Sequence, residues 1–322
     1  MQISKKESNM LYCLKAFAIL SVVSAHMPFG GDTIAEFVRI SFSQIGVIIF
    51  FISSGFFYSR KRNDEKCFWK KKTKYLFIPW VLWSSIVYLI SAFISRSFNG
   101  FPLSYIKAIL GIGNVYWYLS VLVILFILFK YIYFYTHNWP LYLCIVISIV
   151  SIYLSAFGVI KYVYLSHYYN VLNWIGFFAL GILIRRKNWI SKLAQIPFFS
   201  VAIVAWALLV LMVVKRGTMF DGYIDVYSLP IELCGFVSFL FLSKILSKSR
   251  LLVDLGKKSF LIYLMHLQIA GAINTRLPYN TLFYILRPFI AVTVCYLLTK
   301  IFEFLINKLQ LNKYNYILGL NR

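Results

Sequence analysis

The chain has 322 residues, 61% of them hydrophobic and 13% charged, with a mean hydropathy of +0.77; a soluble domain is about a quarter charged, so water is excluded as the main solvent. The formal charge of +23 arises from 33 Lys and Arg against 10 Asp and Glu. These cations sit mainly in short stretches between apolar runs, a pattern of membrane topology and not of a nucleic-acid surface, and no nucleic-acid partner is expected.

About 20 apolar residues in a helix cross a bilayer core, and charges, Pro and Gly mark off ten runs near that length. The predicted spans are 10–28, 36–58, 75–95, 115–135, 140–159, 170–185, 196–214, 226–246, 258–275 and 281–306. Lys5 and Lys6 precede the first, which is too long for a cleaved signal peptide and reads as a retained anchor. Loops 59–74 and 96–114 and the tail after 306 are too short to fold alone, so residues 1–322 are expected to form a single transmembrane domain with no soluble extra domain. With the N-terminus inside, 24 cations fall on the cytoplasmic face, eight of them from Arg60 to Lys74, against seven outside. That bias orients the chain with both termini cytoplasmic. The expected fold class is all-α, a polytopic integral membrane bundle of about ten transmembrane helices in contact with the lipid bilayer.

Cys13, Cys67, Cys144, Cys234 and Cys295 are odd in number and widely spaced, so neither disulfides nor a structural metal are expected. A charged side chain within a span costs about 2.5–3.5 kcal/mol on insertion scales, which singles out the few present. Lys15 and His26 are eleven residues apart; at about 100° per residue they share a helix face, about 16 Å apart along the axis. That geometry suits a long ligand with an anionic head and a reactive tip, such as a coenzyme A thioester. It is equally met by a lysine snorkelling to headgroups and a histidine that ends its helix. Glu232 is a lone carboxylate in the eighth span, expected to pair with a cation such as Arg276 or Arg287, or to contact an acceptor. His137 and His167 are expected in solvated loops, and Asp32, Glu36, Asp221 and Asp225 are outside acids, ordinarily solvated though a sugar could meet them.

Five motifs fall in a recognisable order: Leu14-Lys15-Ala16-Phe17-Ala18-Ile19 with His26; Phe50-Phe51-Ile52-Ser53-Ser54-Gly55-Phe56 running into Arg60; Lys70-Lys71-Lys72-Thr73-Lys74 ahead of Pro79-Trp80; Trp117-Tyr118-Leu119; and Ser259-Phe260-Leu261-Ile262-Tyr263-Leu264-Met265-His266. Together they resemble the acyltransferase type 3 family of bacterial membrane O-acyltransferases over nearly the whole chain. The sequence departs from that pattern in carrying Lys15 and a run of lysines where arginines are usual, and lysine meets a phosphate as a point charge without the bidentate fork of arginine.

The resemblance implies an O-acetyltransferase of the bacterial cytoplasmic membrane. Acetyl-CoA or another acyl-CoA would serve as co-substrate, with no bound cofactor, and a hydroxyl of a cell-envelope glycan, exopolysaccharide or lipid-linked saccharide would accept the acyl group. His26 becomes the general base or acyl-accepting group. His266 has two readings, a catalytic partner orienting His26 or a structural histidine between helices. Lys15, Arg60, Lys71, Lys74, Ser54 and Gly55 become donor-binding candidates, although Ser54 and Gly55 also read as a small-residue helix contact. Trp117, Tyr118 and Glu232 become acceptor-side candidates. A homo-oligomer is compatible with all of this. The alternative, a carrier, flippase or export protein for an envelope glycan lipid, calls for internal repeats and matched broken helices, and the sequence has none evident.

Overall fold

The computed structural model describes residues 4–58, 65–96, 100–132, 137–162, 166–193, 198–217, 223 and 225–320, which are helical with no strand among them. The bilayer demands this, because a backbone in hydrocarbon must satisfy its polar groups internally. Ser4 and Glu7 form a capping box that starts α1 (Lys5–Ala25), and Asp32 caps α2 (Thr33–Ser43). Then follow α3 (Ile45–Phe56), α4 (Glu65–Lys72), a π-helical turn (Thr73–Phe77), α5 (Ile78–Ile94), α6 (Leu103–Ile109) and α7 (Trp117–Ile132). The second half runs through α8 (Trp139–Ala156), α9 (Val171–Arg186), α10 (Trp189–Leu193), α11 (Phe198–Arg216), α12 (Ser228–Leu246), α13 (Arg250–Asn274) and α14 (Thr281–Lys308).

Among the described residues six segments are long and apolar enough to cross a membrane: Lys5–Ala25, Thr33–Phe56, Lys66–Ile94, Trp139–Ala156, Ser228–Leu246 and Thr281–Lys308. The other four predicted spans coincide with α7, α9, α11 and α13. The predicted second span is two helices, because the chain breaks at the fully buried Gln44. Ser21 of α1 repairs that break: its hydroxyl donates to the Phe42 carbonyl at 2.6 Å and accepts from the Gly46 N–H at 2.8 Å.

α1 is central, packed on α13, α3 and α12, while α3 also packs on α9 and α9 on α8. The α3–α9 contact is backbone to backbone. A Cβ at Gly55 would overlap the Phe178 carbonyl, and one at Gly181 the Ile52 carbonyl. Gly256 likewise abuts the Tyr12 carbonyl, which sets α13 level with α1. The end of the bundle where α1 and α13 begin is basic, and a polar clasp joins α13 to α14 there. Asp254 accepts from Lys258 and Lys300, each at 2.7 Å, and from the Tyr296 hydroxyl at 2.6 Å, while Lys258 also meets Glu303 at 2.9 Å.

Candidate active site

A cavity of about 610 Å³ opens among α1, α3, α4, α7 and α13, within the size range of small-molecule sites. Lys15, Ser54, Lys71, Lys72, Tyr118 and Tyr263 are among its lining residues. One i, i+4 face of α4 and of the π turn after it borders the cavity, with Phe68, Lys71, Lys72, Tyr75 and Leu76. Pro79 has no N–H to continue the α ladder, and the Ile78 N–H reaches back five residues to the Thr73 carbonyl. Lys71 and Lys72 are on the cavity side, while Lys74 lies off that face over the ring of Tyr316, 4.5 Å from its centroid.

Lys15, Lys71 and Lys72 have no carboxylate within ion-pair distance among the described residues, in contrast to Lys258 and Lys300. Lys72 instead lies 4.1 Å over Phe126, and Lys15 5.8 Å from the ring of Tyr12. Three cations without counter-charges on one cavity are complementary to an anionic ligand. Ser54 and Tyr118 share a hydrogen bond of 3.1 Å on the same wall.

Beyond the cavity are the two histidines. His26 caps the C-terminus of α1 and is exposed, whereas His266 in α13 is fully buried. Their ring centroids are 5.2 Å apart. Nδ1 of His266 lies 2.6 Å from the Tyr263 carbonyl; a carbonyl only accepts, so this nitrogen carries the proton and Nε2 is left with its lone pair. That Nε2 is buried with no partner. Tyr263 links the two regions, lining the cavity and stacking on His266 at 5.7 Å. Its hydroxyl donates to the Val115 carbonyl, and the Tyr116 hydroxyl donates to the Leu264 carbonyl at 2.8 Å, so α13 is tied to the start of α7 twice.

The other candidates are scattered by the fold. Arg60 lies outside the described residues, as does Asp221. Gly55 faces the backbone of α9 and not the cavity. Trp117 stacks on Tyr168 at 4.9 Å and lies 5.3 Å from Trp174, and unlike Tyr118 it is not among the residues lining the cavity. Glu232 is buried with Oε1 unpartnered and does not meet Arg276 or Arg287. Those arginines bond carbonyls around the α13–α14 turn: Arg276 that of Ala272, and Arg287 those of Leu277 and Pro278. The cation close enough to act on Glu232 is Arg216 at the end of α11, which binds Asp225 at 3.2 Å and Gln44 at 3.0 Å. Trp117 and Glu232 nonetheless border one aromatic cluster. Tyr223 lies 5.3 Å from Trp174 and near Glu232.

Several polar residues expected to be solvated are engaged. His167 is half-buried between Tyr162 and Tyr168, 4.1 Å from the latter ring. Asp225 is held by Arg216 and by the Ser228 hydroxyl at 2.9 Å. Asp32 accepts from the Ala35 N–H at 2.8 Å and from the Thr281 hydroxyl, and these donors, the amide foremost, hold its carboxyl below the usual carboxylate range. Loop acids near helix starts find amide donors, a signal a reading of charge alone passes over. Sequence reasoning missed Lys72, for which the i, i+4 series Phe68, Lys72 and Leu76 was the available signal. It also missed Tyr263, for which the i, i+3 spacing to His266 was the available signal. Among the described residues no group of three His, Cys, Asp or Glu has a metal-holding arrangement.

Comparison with curated proteins and with solved structures gives no match. A family model does match: the acyltransferase domain of the type 3 family covers residues 11–302, and the chain belongs to this family of membrane acyltransferases.

Proposed function

We propose that this acyltransferase is an O-acetyltransferase of the bacterial cytoplasmic membrane. It takes the acyl group from cytoplasmic acyl-CoA, acetyl-CoA foremost, and places it on a hydroxyl of a cell-envelope or exopolysaccharide glycan. The observation that carries the reading is one cavity bordered by three cations without carboxylate partners, Lys15 of α1 and Lys71 and Lys72 of α4, with a histidine pair of α1 and α13 beyond it. The CoA phosphates lie against Lys15, Lys71 and Lys72, and the thioester reaches toward His26. The positive-inside bias supports placing the cavity mouth in the cytoplasm, leaving His26 toward the outer side where a glycan can approach.

In the direct route the glycan hydroxyl oxygen attacks the thioester carbonyl carbon while a neutral His26 imidazole takes the hydroxyl proton. The C–S bond breaks, the thiolate takes a proton back from the imidazolium, and an ester and free CoA remain. In the two-step route His26 is itself acylated, releasing CoA, and then passes the acyl group to the hydroxyl. His266 acts through His26. Its fixed tautomer keeps a buried acceptor nitrogen beside the His26 ring.

The test is mass spectrometry of envelope polysaccharide from cells with and without the protein, and with His26→Gln. Loss of a general base lowers the rate by about 10²–10⁴, so His26→Gln should insert normally and leave the glycan nearly unmodified. Wild-type acylation in that variant would remove the catalytic assignment. A glycan unchanged in acylation but lost from the surface would turn the reading to a carrier.

A further inference from the structure

Serine in a helix ordinarily returns its hydroxyl to the carbonyl four residues back. Ser24, Ser41 and Ser155 do so at 2.8–2.9 Å. Ser53 on α3 and Ser259 on α13 do not. They are 2% and 0% exposed, their hydroxyls have no partner, and both line the large cavity. Ser43, Ser84 and Ser243 are also buried with no hydrogen-bond partner for the hydroxyl, but none of them borders that cavity. A buried hydroxyl without a partner costs about 1–3 kcal/mol. Two on different helices around one empty space mark a place where a polar ligand completes the structure.

The axial position says which part of a ligand. Gly256 packs at the level of Tyr12, so three residues on in each helix Ser259 is level with Lys15. From Ser259 to His266 is seven residues, about 10 Å at 1.5 Å per residue, with Tyr263 on the same face between them. We propose that Ser53 and Ser259 form an amide-reading subsite, hydrogen-bonding the amide groups of the donor's pantetheine arm and fixing how far the thioester advances toward the histidine pair. A hydroxyl both donates and accepts, so it suits either end of an amide. With an amide held at the level of Ser259, the β-alanine and cysteamine units beyond it cover the remaining distance to His266. This rests on the acyl-CoA reading above and goes beyond it in naming what distinguishes pantetheine from a bare nucleotide.

Calorimetry on the purified full-length protein, with CoA and with adenosine 3′,5′-bisphosphate as probes, separates the two. The bisphosphate keeps the phosphates but lacks the arm. The wild-type protein should bind CoA more tightly than the bisphosphate. The Ser53→Ala/Ser259→Ala double variant should lose about tenfold in CoA affinity, a factor of a few for each hydrogen bond, and bind the bisphosphate as before. The ligand-free variant should unfold at the same temperature or higher, since the unsatisfied hydroxyls are gone, while its stabilisation by CoA shrinks. Unchanged CoA affinity in the double variant would overturn the subsite and leave the donor reading standing. Equal weakening of both probes would also overturn it, as a distortion of the cavity. A wild-type protein that binds neither probe would overturn the donor reading, and the subsite with it.

Discussion

Gly55→Ala tests whether the small residue at the end of α3 is there for packing or for passage of a thioester. The added Cβ would lie 2.9 Å from the Phe178 carbonyl carbon and 3.2 Å from its Cα, and would overlap the carbonyl oxygen. Carbon–carbon contacts relax at about 3.5–4.0 Å, so α3 and α9 must part by about 1 Å along a backbone contact that has no flexible side chain to yield. Overpacking of this kind costs about 1–3 kcal/mol. The displacement also pulls Ser54 from Tyr118, whose 3.1 Å bond has little slack. Two readouts follow: a lower unfolding midpoint in detergent, and a weaker donor affinity that falls with it. Gly181→Ala, on the other helix of the same contact, should behave alike. If Gly55→Ala unfolds like wild type, the close approach is not rigid and the reasoning fails. If stability holds and only donor turnover falls, Gly55 belongs to the passage and not to the packing.

Replacing Lys15 or Lys71 with Gln should raise KM for acyl-CoA more than it lowers kcat, since a phosphate contact present in ground and transition states is uniform binding; unchanged KM in both would mean lysines that serve the bilayer alone. Lys74→Gln, over the Tyr316 ring and away from the cavity, should leave KM unchanged, and a rise there would contradict its exclusion from the donor site. On intact cells, an impermeant thiol reagent should label a cysteine at Pro278 and spare one at Lys248 in a background without native cysteines; the reverse would invert the orientation. Asp254→Asn should cost about 1–3 kcal/mol by leaving Lys258 and Lys300 against a neutral amide, read as a lower unfolding midpoint with KM for the donor unchanged.

Helix positions were legible because a bilayer imposes length and apolarity, and charges, Pro and Gly punctuate both. The shared face of Lys15 and His26 was legible because one helix keeps one phase. Which face of the basic helix meets the cavity was not. Lys71, Lys72 and Lys74 are alike in residue type, and the packing of α4 puts two on the cavity and one over Tyr316. The break at Gln44 was hidden for a similar reason, since its repair comes from Ser21 on another helix. Partners of buried charges were the least legible, because Arg216 at the end of α11 binds Asp225 and Gln44, the latter 172 residues away in sequence, and Glu232 meets neither of the arginines expected for it. The pairing of His26 with His266 depends on the depth of α13 against α1, which Gly256 sets and no motif spells out.

The place of Tyr263 has an electrical consequence. It lines the cavity on one side and stacks on His266 on the other, with His26 exposed beyond. On the proposed orientation the packing between the cytoplasm-facing cavity and the outer side includes this ring, and two hydrogen bonds, of Tyr263 to Val115 and of Tyr116 to Leu264, hold it. An opening wide enough for an acyl thioester is far wider than a proton needs, and a standing opening would short-circuit the membrane potential. On the proposed reading, the side chain between the donor site and the histidines is therefore also part of the dielectric of the membrane, and the two tyrosine tethers hold it in place.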